Sequence, residues 1–308
     1  TEVDTEITNR SFGFKNHIIN GGFDVWQRGT SFTTAGFTAD RWYLADGSNG
    51  CVLTAAKQVI DSNSFKHSIN MTVAPTTLTA IFLQKLENIS VYSGKTMTLS
   101  FNIAQNTRVG TFQCNLFCSG GNYYNKSFNI ENIAGVQSFT FTIPDLVTGV
   151  PYDANDSLIV RFLVDNTTSF AGLTFENVQL EEGSVATPFE QRPIGLELSL
   201  CQRYYEKLDG TNYASFGSGF QRNTTESVFH IKYSTRKRTD YPTLTFSGLI
   251  CTERTTFDQA LTGVAEQRFG YDGAQVRFTH PAVGAAGKPV LLSSASATYG
   301  YIAFDAEL

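Results

Sequence analysis

Charge is scarce in this 308-residue chain: Asp, Glu, Lys and Arg together make up 17% of it, and the net charge is −5. The deficit of positive charge lies in the first 200 residues, and neither half carries the basic excess of a nucleic-acid binder. No apolar run is long enough to span a bilayer, so membrane insertion is not expected. The first ten residues are polar, without a secretory signal, and the first residue is Thr rather than Met, so the sequence reads as a fragment or a processed product. Five cysteines (Cys51, Cys114, Cys118, Cys201, Cys251) are too few and too scattered for a disulfide framework. Cys114 and Cys118 share a strand face by spacing, but no second Cys or His pair sits near enough in sequence to complete a zinc site. All five are expected to be buried free thiols. Repeats of 20 to 50 residues are missing, which disfavours propellers and β-helices.

Enzyme signatures are also missing. The chain contains no Gly-x-Ser-x-Gly, no His-Glu-x-x-His and no phosphate-cradling glycine loop. Its four histidines, His17, His67, His230 and His280, are dispersed. Glu181 and Glu182 are adjacent, so on a strand they face opposite sides and cannot converge on one bond. The expectation is a protein that is not an enzyme.

What is abundant points to β-structure. The 25 phenylalanines and 13 tyrosines, with many threonines, suit pleated and half-buried surfaces. Period-two alternation recurs. In Thr98–Ile103, Leu99, Phe101 and Ile103 share one face; in Ser138–Ile143, Phe139, Phe141 and Ile143 do. Strands are expected at 52–59, 66–73, 79–86, 96–104, 111–117, 138–143, 158–164 and 173–180, and again at 213–220, 226–233, 243–249, 267–271, 274–279, 289–294 and 298–305. The one helical pattern is Leu196, Leu200 and Tyr204, with Glu197 in its first turn and Lys207 near its last. The fold class is therefore all-β: two antiparallel β-sandwiches of jelly-roll type joined by a short α-helix. The expected division is a lead-in at 1–15, a jelly roll at 16–192, a helical linker at 193–207 and a second sandwich at 208–308.

Two blocks carry a family resemblance. One is Asn20-Gly21-Gly22-Phe23-Asp24-Val25-Trp26-Gln27-Arg28-Gly29 followed by Ala39-Asp40-Arg41-Trp42. The other runs from Val178 through Glu181-Glu182-Gly183-Ser184, Thr187-Pro188-Phe189-Glu190 and Arg192-Pro193 to Leu200-Cys201-Gln202-Arg203-Tyr204-Tyr205-Glu206-Lys207. Together they resemble segments of bacteriophage tail-fibre and receptor-binding proteins with a jelly-roll domain like a carbohydrate-binding module. The last residues, Asp305-Ala-Glu-Leu308, resemble the ends of such fibres. The resemblance implies a virion protein facing the host surface, a homotrimer, and a host polysaccharide or lipopolysaccharide together with other phage tail proteins as partners. In related sugar-binding jelly rolls an acid after the Asn-Gly-Gly-Phe motif and an acid in the last strand hold a structural calcium; here those positions are Asp24 and Glu176.

Candidate glycan contacts are the aromatic pair Tyr123 and Tyr124, read as part of a Gly120–Asn125 loop, and Trp42. Each has a structural alternative, a ring packed on the core, and for Trp42 that alternative is the stronger. Lys232–Arg238 holds four basic residues in seven and reads as a solvated face, with anionic lipopolysaccharide or the acids of a neighbouring subunit as the alternative partners. In a trimer, Tyr299, Tyr301 and Phe304 with the Tyr204–Tyr205 helix are expected around the threefold axis. Two further functions stay open: a structural virion component that binds only phage proteins, and a polysaccharide depolymerase or its accessory module.

Overall fold

The computed structural model describes residues 13–46, 53–61, 66–73, 80–106, 110–118, 121–130, 133–145, 156–164, 170–253 and 257–307. The chain divides into two compact units that part between Glu197 and Leu198.

In the first unit the strands are β1 (Ser31–Phe32), β2 (Gly36–Phe37), β3 (Tyr43–Asp46), β4 (Leu53–Asp61), β5 (Lys66–Val73), β6 (Ala80–Leu86), β7 (Thr96–Asn106), β8 (Gly110–Cys118), β9 (Gly121–Ile130), β10 (Gly135–Thr142), β11 (Ser157–Val164) and β12 (Phe170–Glu182). They form two six-stranded sheets, ordered β1-β4-β5-β12-β7-β10 and β2-β3-β6-β11-β8-β9. The chain crosses repeatedly between the sheets, which makes this a jelly-roll sandwich. Every pairing is antiparallel, as in the register Leu99 to Phe139 between β7 and β10.

The alternation read from the sequence becomes the core. Leu99, Phe101 and Ile103 of β7 are buried, opposite Phe82 of β6 and Leu158, Val160 and Phe162 of β11. Aromatic rings tie the layers together. Trp42 stacks on Phe82 with centroids 4.7 Å apart and planes 7° apart; Phe162 meets Phe175 at 4.5 Å and Phe101 at 5.0 Å. Each fully buried side chain of this size stabilises the fold by about 1.5–3 kcal/mol.

The helix α1 spans Ile194–Gln202, opened by Pro193, whose carbonyl accepts Leu196 N at 3.0 Å. It is shorter than the expected 193–207. From Tyr205 the chain is extended and pairs residue by residue with the C-terminal strand, so Lys207 lies in a strand and not in a last helical turn.

The second unit contains β13 (Tyr205–Gly210), β14 (Ser215–Gln221), β15 (Glu226–Lys232), β16 (Thr243–Ser247), β17 (Leu249–Glu253), β18 (Phe257–Ala260), β19 (Gly263–Phe269), β20 (Gly273–Thr279), β21 (Pro289–Ser294) and β22 (Gly300–Asp305). A three-stranded sheet, β13-β22-β16, and a seven-stranded sheet, β18-β17-β21-β14-β15-β20-β19, share one core built on Phe229, Val276, Phe278, Leu292, Ile302 and Phe304. Tyr204, Tyr205 and Phe304, expected at a threefold axis, are buried inside this unit instead; Tyr299 is half exposed. The Tyr233 ring packs edge-on against Phe304 at 4.8 Å, which accounts for where Phe304 points.

Candidate functional site

Residues of the Asn20–Trp42 block, with Asn16 just before it, hydrogen-bond to one another and to β12. Asn16 donates from Nδ2 to the Val178 carbonyl (3.1 Å), and its Oδ1 accepts from Ile18 N (2.9 Å) and Leu180 N (3.1 Å). Asn20, at φ 57°, donates to the Val25 and Asp40 carbonyls at 2.8 and 3.0 Å. Gly21 lies so close to β12 that a Cβ there would stand 2.1 Å from the Val178 carbonyl oxygen. The Asp40 carboxylate accepts from the Gln27 backbone N–H (2.9 Å) and side-chain amide. These bonds close the start of the first unit onto its last strand.

Trp42 belongs to the same frame. It is fully buried, and its Nε1 donates to the Asn20 carbonyl at 3.0 Å. This corrects its place among the glycan contacts: no face of the ring is open to a sugar. The tyrosine pair is not on a loop either. Tyr123 and Tyr124 lie within β9, where Leu116 of β8 pairs with Tyr124. The Tyr124 ring packs against the core, together with Phe128 on the same face. The Tyr123 side chain lies outside what the structure describes.

The acids proposed for calcium each have a side-chain partner. Glu176, buried on β12, accepts from Asn102 Nδ2 at 3.0 Å, and Asp24 accepts from Gln191 Nε2 at 3.3 Å. Among the described residues no group of three or more His, Cys, Asp or Glu converges. The two carboxylates alone supply a minority of the six to eight oxygens calcium takes. The adjacent pair Glu181 and Glu182 diverges as expected. Glu181 is buried under Thr187, which donates to it from both N (2.8 Å) and Oγ1 (2.6 Å), while the exposed Glu182 meets Lys95 at 2.7 Å. Burial alone would raise the Glu181 pKa; the bonds from Thr187 and Gln179 outweigh it and hold the carboxyl below its ordinary value.

Two surfaces of the first unit gather aromatic and polar side chains outside its core. One is the outer face of the sheet β2-β3-β6-β11-β8-β9. Leu44, Phe82 and Phe162 are buried toward the core, so their strand neighbours Tyr43, Leu83 and Arg161 face away from it. Register aligns these in one cross-strand row: Phe37 opposite Tyr43, Tyr43 opposite Leu83, Leu83 opposite Arg161. It continues to Gln113 and the exposed Ser127. At about 4.8 Å per strand the row runs roughly 24 Å across the sheet. Phe37 and Tyr43 meet edge to face at 5.0 Å, and the Arg28 guanidinium lies 4.8 Å from the Phe37 centroid. Burial lowers the Arg161 pKa from its ordinary value, which marks a guanidinium partly withdrawn from water. No local motif announced this row, because it takes one residue from each strand.

The second surface is a cleft of ≈ 460 Å³ on the outer face of the other sheet, where the chain after β12 folds back over it. Asn102, Asn177, Thr187 and Phe189 line it, with Val136 three-quarters exposed at its edge. Asn177 takes φ 53° where the β12–β7 register breaks. Two amides and a hydroxyl beside an apolar edge suit a neutral, hydroxyl-rich ligand.

The basic run 232–238 does not form one solvated face. Lys237 is fully buried, donating to Glu206 and, at 2.6 Å, to the Gln202 carbonyl. Arg238 donates to the Ala306 and Glu307 carbonyls, and Arg236 stands exposed over Tyr271 at 4.4 Å. Cys201 and Cys251 are buried free thiols, as expected. Cys51 falls outside the described residues, as do the side chains of Cys114 and Cys118.

No family model matches the chain, and no curated protein matches it. Among solved structures it is similar to the enzymatically active domain of bacteriophage CBA120 tailspike protein 4, at 19% identity and a TM-score of 0.38; 54% of this chain and 21% of that one are covered, so this chain spans about a fifth of it. A Stig cyclase, Fisc, from Fischerella sp. TAU is similar at 15% identity and a TM-score of 0.38, over 56% of this chain and 99% of its own. A CBM4 structure is similar at 20% identity and a TM-score of 0.35, over 53% and 98%.

Proposed function

We propose that this chain is a non-catalytic, glycan-binding part of a phage tail fibre, and that its first unit holds host-surface polysaccharide or lipopolysaccharide across the row Phe37–Tyr43–Leu83–Arg161. The row is the observation that carries the reading. An aromatic ring offers the apolar face of a sugar a partner, and the guanidinium and hydroxyl further along offer hydrogen bonds to its hydroxyls. The sequence blocks around Asn20–Trp42 and Val178–Lys207 support the virion setting through their resemblance to phage fibres. A homotrimer would raise weak single-site affinity by avidity, as attachment requires.

The test is a glycan array and a host-cell adsorption assay with the full chain, alongside Tyr43→Ala and Asn102→Ala. Binding lost in Tyr43→Ala at unchanged melting temperature supports the row. Loss in Asn102→Ala alone, again at unchanged melting temperature because Asn102 also holds buried Glu176, moves the site to the cleft. Adsorption with no glycan bound, and capture of phage tail proteins instead, favours the structural virion component. Shortened host polysaccharide after incubation favours the depolymerase. Native mass settles the trimer, and a monomer would remove the avidity argument.

A further inference from the structure

We propose a second binding site, on the second unit, for a sugar that carries an anionic group. It lies on the face of the seven-stranded sheet opposite the core and is independent of the row on the first unit. Core-facing Phe229, Val276 and Phe278 leave their strand neighbours on the outer side. There Phe220 pairs with Val228, Val228 with Arg277, and Arg277 with Glu266, one row across four strands. Beside it, Gln275 of β20 pairs with Arg268 of β19. These residues and Arg222 line a cavity of ≈ 260 Å³. That is small beside the roughly 300–1,000 Å³ of drug-sized pockets, and suits a single ring.

The charges form a ladder. Arg222 meets Glu226 at 2.6 Å, Glu226 meets Arg277 at 3.6 Å, Arg277 meets Glu266 at 3.2 Å, and Glu266 meets Arg268 at 2.8 Å. Hydrogen bonds from Arg222 and Arg268 hold Glu226 and Glu266, respectively, below the ordinary carboxylate value, so both are ionised at neutral pH. Three guanidiniums against two carboxylates leave one positive charge over. Glu226 is already shared among Arg222, Asn223 and Arg277. Arg277 Nε is buried with no hydrogen-bond partner among the described residues, and the guanidinium, 20% exposed, borders the cavity. Phe220, 43% exposed at the rim beside Val228, provides an apolar plane of the kind a pyranose stacks on. A carboxylate or phosphate on that sugar would meet Arg277 and its neighbours, and Gln275 is placed for a hydroxyl.

The full chain is titrated calorimetrically with tetragalacturonate, its carboxyl-reduced neutral counterpart and inorganic phosphate. A charge-assisted hydrogen bond contributes about 1.5–3 kcal/mol, so the acidic tetramer should bind roughly 10- to 100-fold more tightly than the neutral one. Its affinity should fall with added salt. Arg277→Gln, Phe220→Ala and the well-exposed Arg268→Gln should each weaken it, while Tyr43→Ala should not. If phosphate binds and is displaced by the tetramer, a phosphorylated sugar is the natural source of the anion; if phosphate does not bind, a uronic acid is. No heat with either anion up to about 10 mM, well beyond the millimolar affinity typical of weak sites, overturns the proposal. So does acidic-tetramer binding unchanged in all three variants of the second unit. Because the row on the first unit is untouched by these variants, the two readings fail separately.

Discussion

Arg192 and Glu197 form a buried ion pair at 3.1 Å, with side chains 4% and 9% exposed. Arg192 also donates to the Ile18 carbonyl at 3.0 Å and to the Asn16 carbonyl, and Glu197 accepts from Asn20 N. One pair thus joins the two sequence blocks that resemble fibre proteins. Arg192→Met would leave Glu197 buried without its counter-charge, a change that costs about 3–5 kcal/mol. Arg192→Met/Glu197→Gln together should recover part of it, because no bare charge remains. Chemical denaturation of the three proteins checks this; a single-variant loss under about 1 kcal/mol would show the pair to be dispensable.

His17 makes the first unit sensitive to acid. Its ring sits edge-on to Tyr92 at 5.3 Å. Burial, then the positive charges of Lys95 and Arg192 working against Glu182, lower its pKa from the ordinary 6.5. The fold therefore favours neutral imidazole. Below pH 6.5 the unfolded chain takes up a proton that the folded one resists, so stability falls as pH drops from there to the folded pKa. His17→Phe keeps the aromatic contact and should flatten the melting-temperature profile between pH 7 and 5. A profile identical to that of the unaltered chain would remove His17 from the cause.

Tyr233 contributes the opposite slope in the second unit. Its buried hydroxyl has no hydrogen-bond partner among the described residues, and Lys237 Nζ lies 4.8 Å from the ring centroid. Burial first, and the charge of Glu206 second, push its pKa far above the ordinary 10. The unfolded chain loses the proton first, so stability present below pH 10 is lost as pH rises past it. Tyr233→Phe removes an unsatisfied group at almost constant shape. It should be neutral or stabilise by up to about 1 kcal/mol at pH 7, and it should blunt the alkaline loss. Urea midpoints at pH 7 and above pH 10 decide it; a clear loss of stability at pH 7 would mean the hydroxyl has a partner.

Much of the fold could be read from local pattern. Leu99, Phe101 and Ile103 alternate cleanly and all three are buried. Strand β9 escaped because Gly121, Asn122 and Asn125 carry turn chemistry, although Tyr124, Phe128 and Ile130 keep a period of two. Tyr205–Lys207 was read as helix from the spacing of Leu196, Leu200 and Tyr204. The strand pairing that overrides it is with Ala303–Asp305, near the other end of the unit, and no window of sequence contains both partners. The binding row was invisible for the same reason. Phe37, Tyr43, Leu83 and Arg161 are neighbours only through register. The Asn-Gly-Gly-Phe block stood out as a motif, and its residues are held by backbone demands: Asn20 and Phe23 take positive φ, and Gly21 lies against β12.

The glycines separate architecture from surface in a way that two substitutions can measure. At Gly21 an added Cβ would sit 2.1 Å from the Val178 carbonyl oxygen, on backbone that already accepts from Asn16 and cannot retreat without breaking that bond. Gly21→Ala should therefore cost about 1–3 kcal/mol, the range for overpacking a tight site. At Gly195, in the first turn of α1, an added Cβ meets nothing within 4 Å. Gly195→Ala should stabilise by about 0.4–1 kcal/mol, because the unfolded chain loses conformations that the helix never used. Thermal melts of both, compared with the unaltered chain, should move in opposite directions. If Gly21→Ala melted unchanged, the close approach of the Asn20–Gly22 turn to β12 would not be holding the sandwich shut.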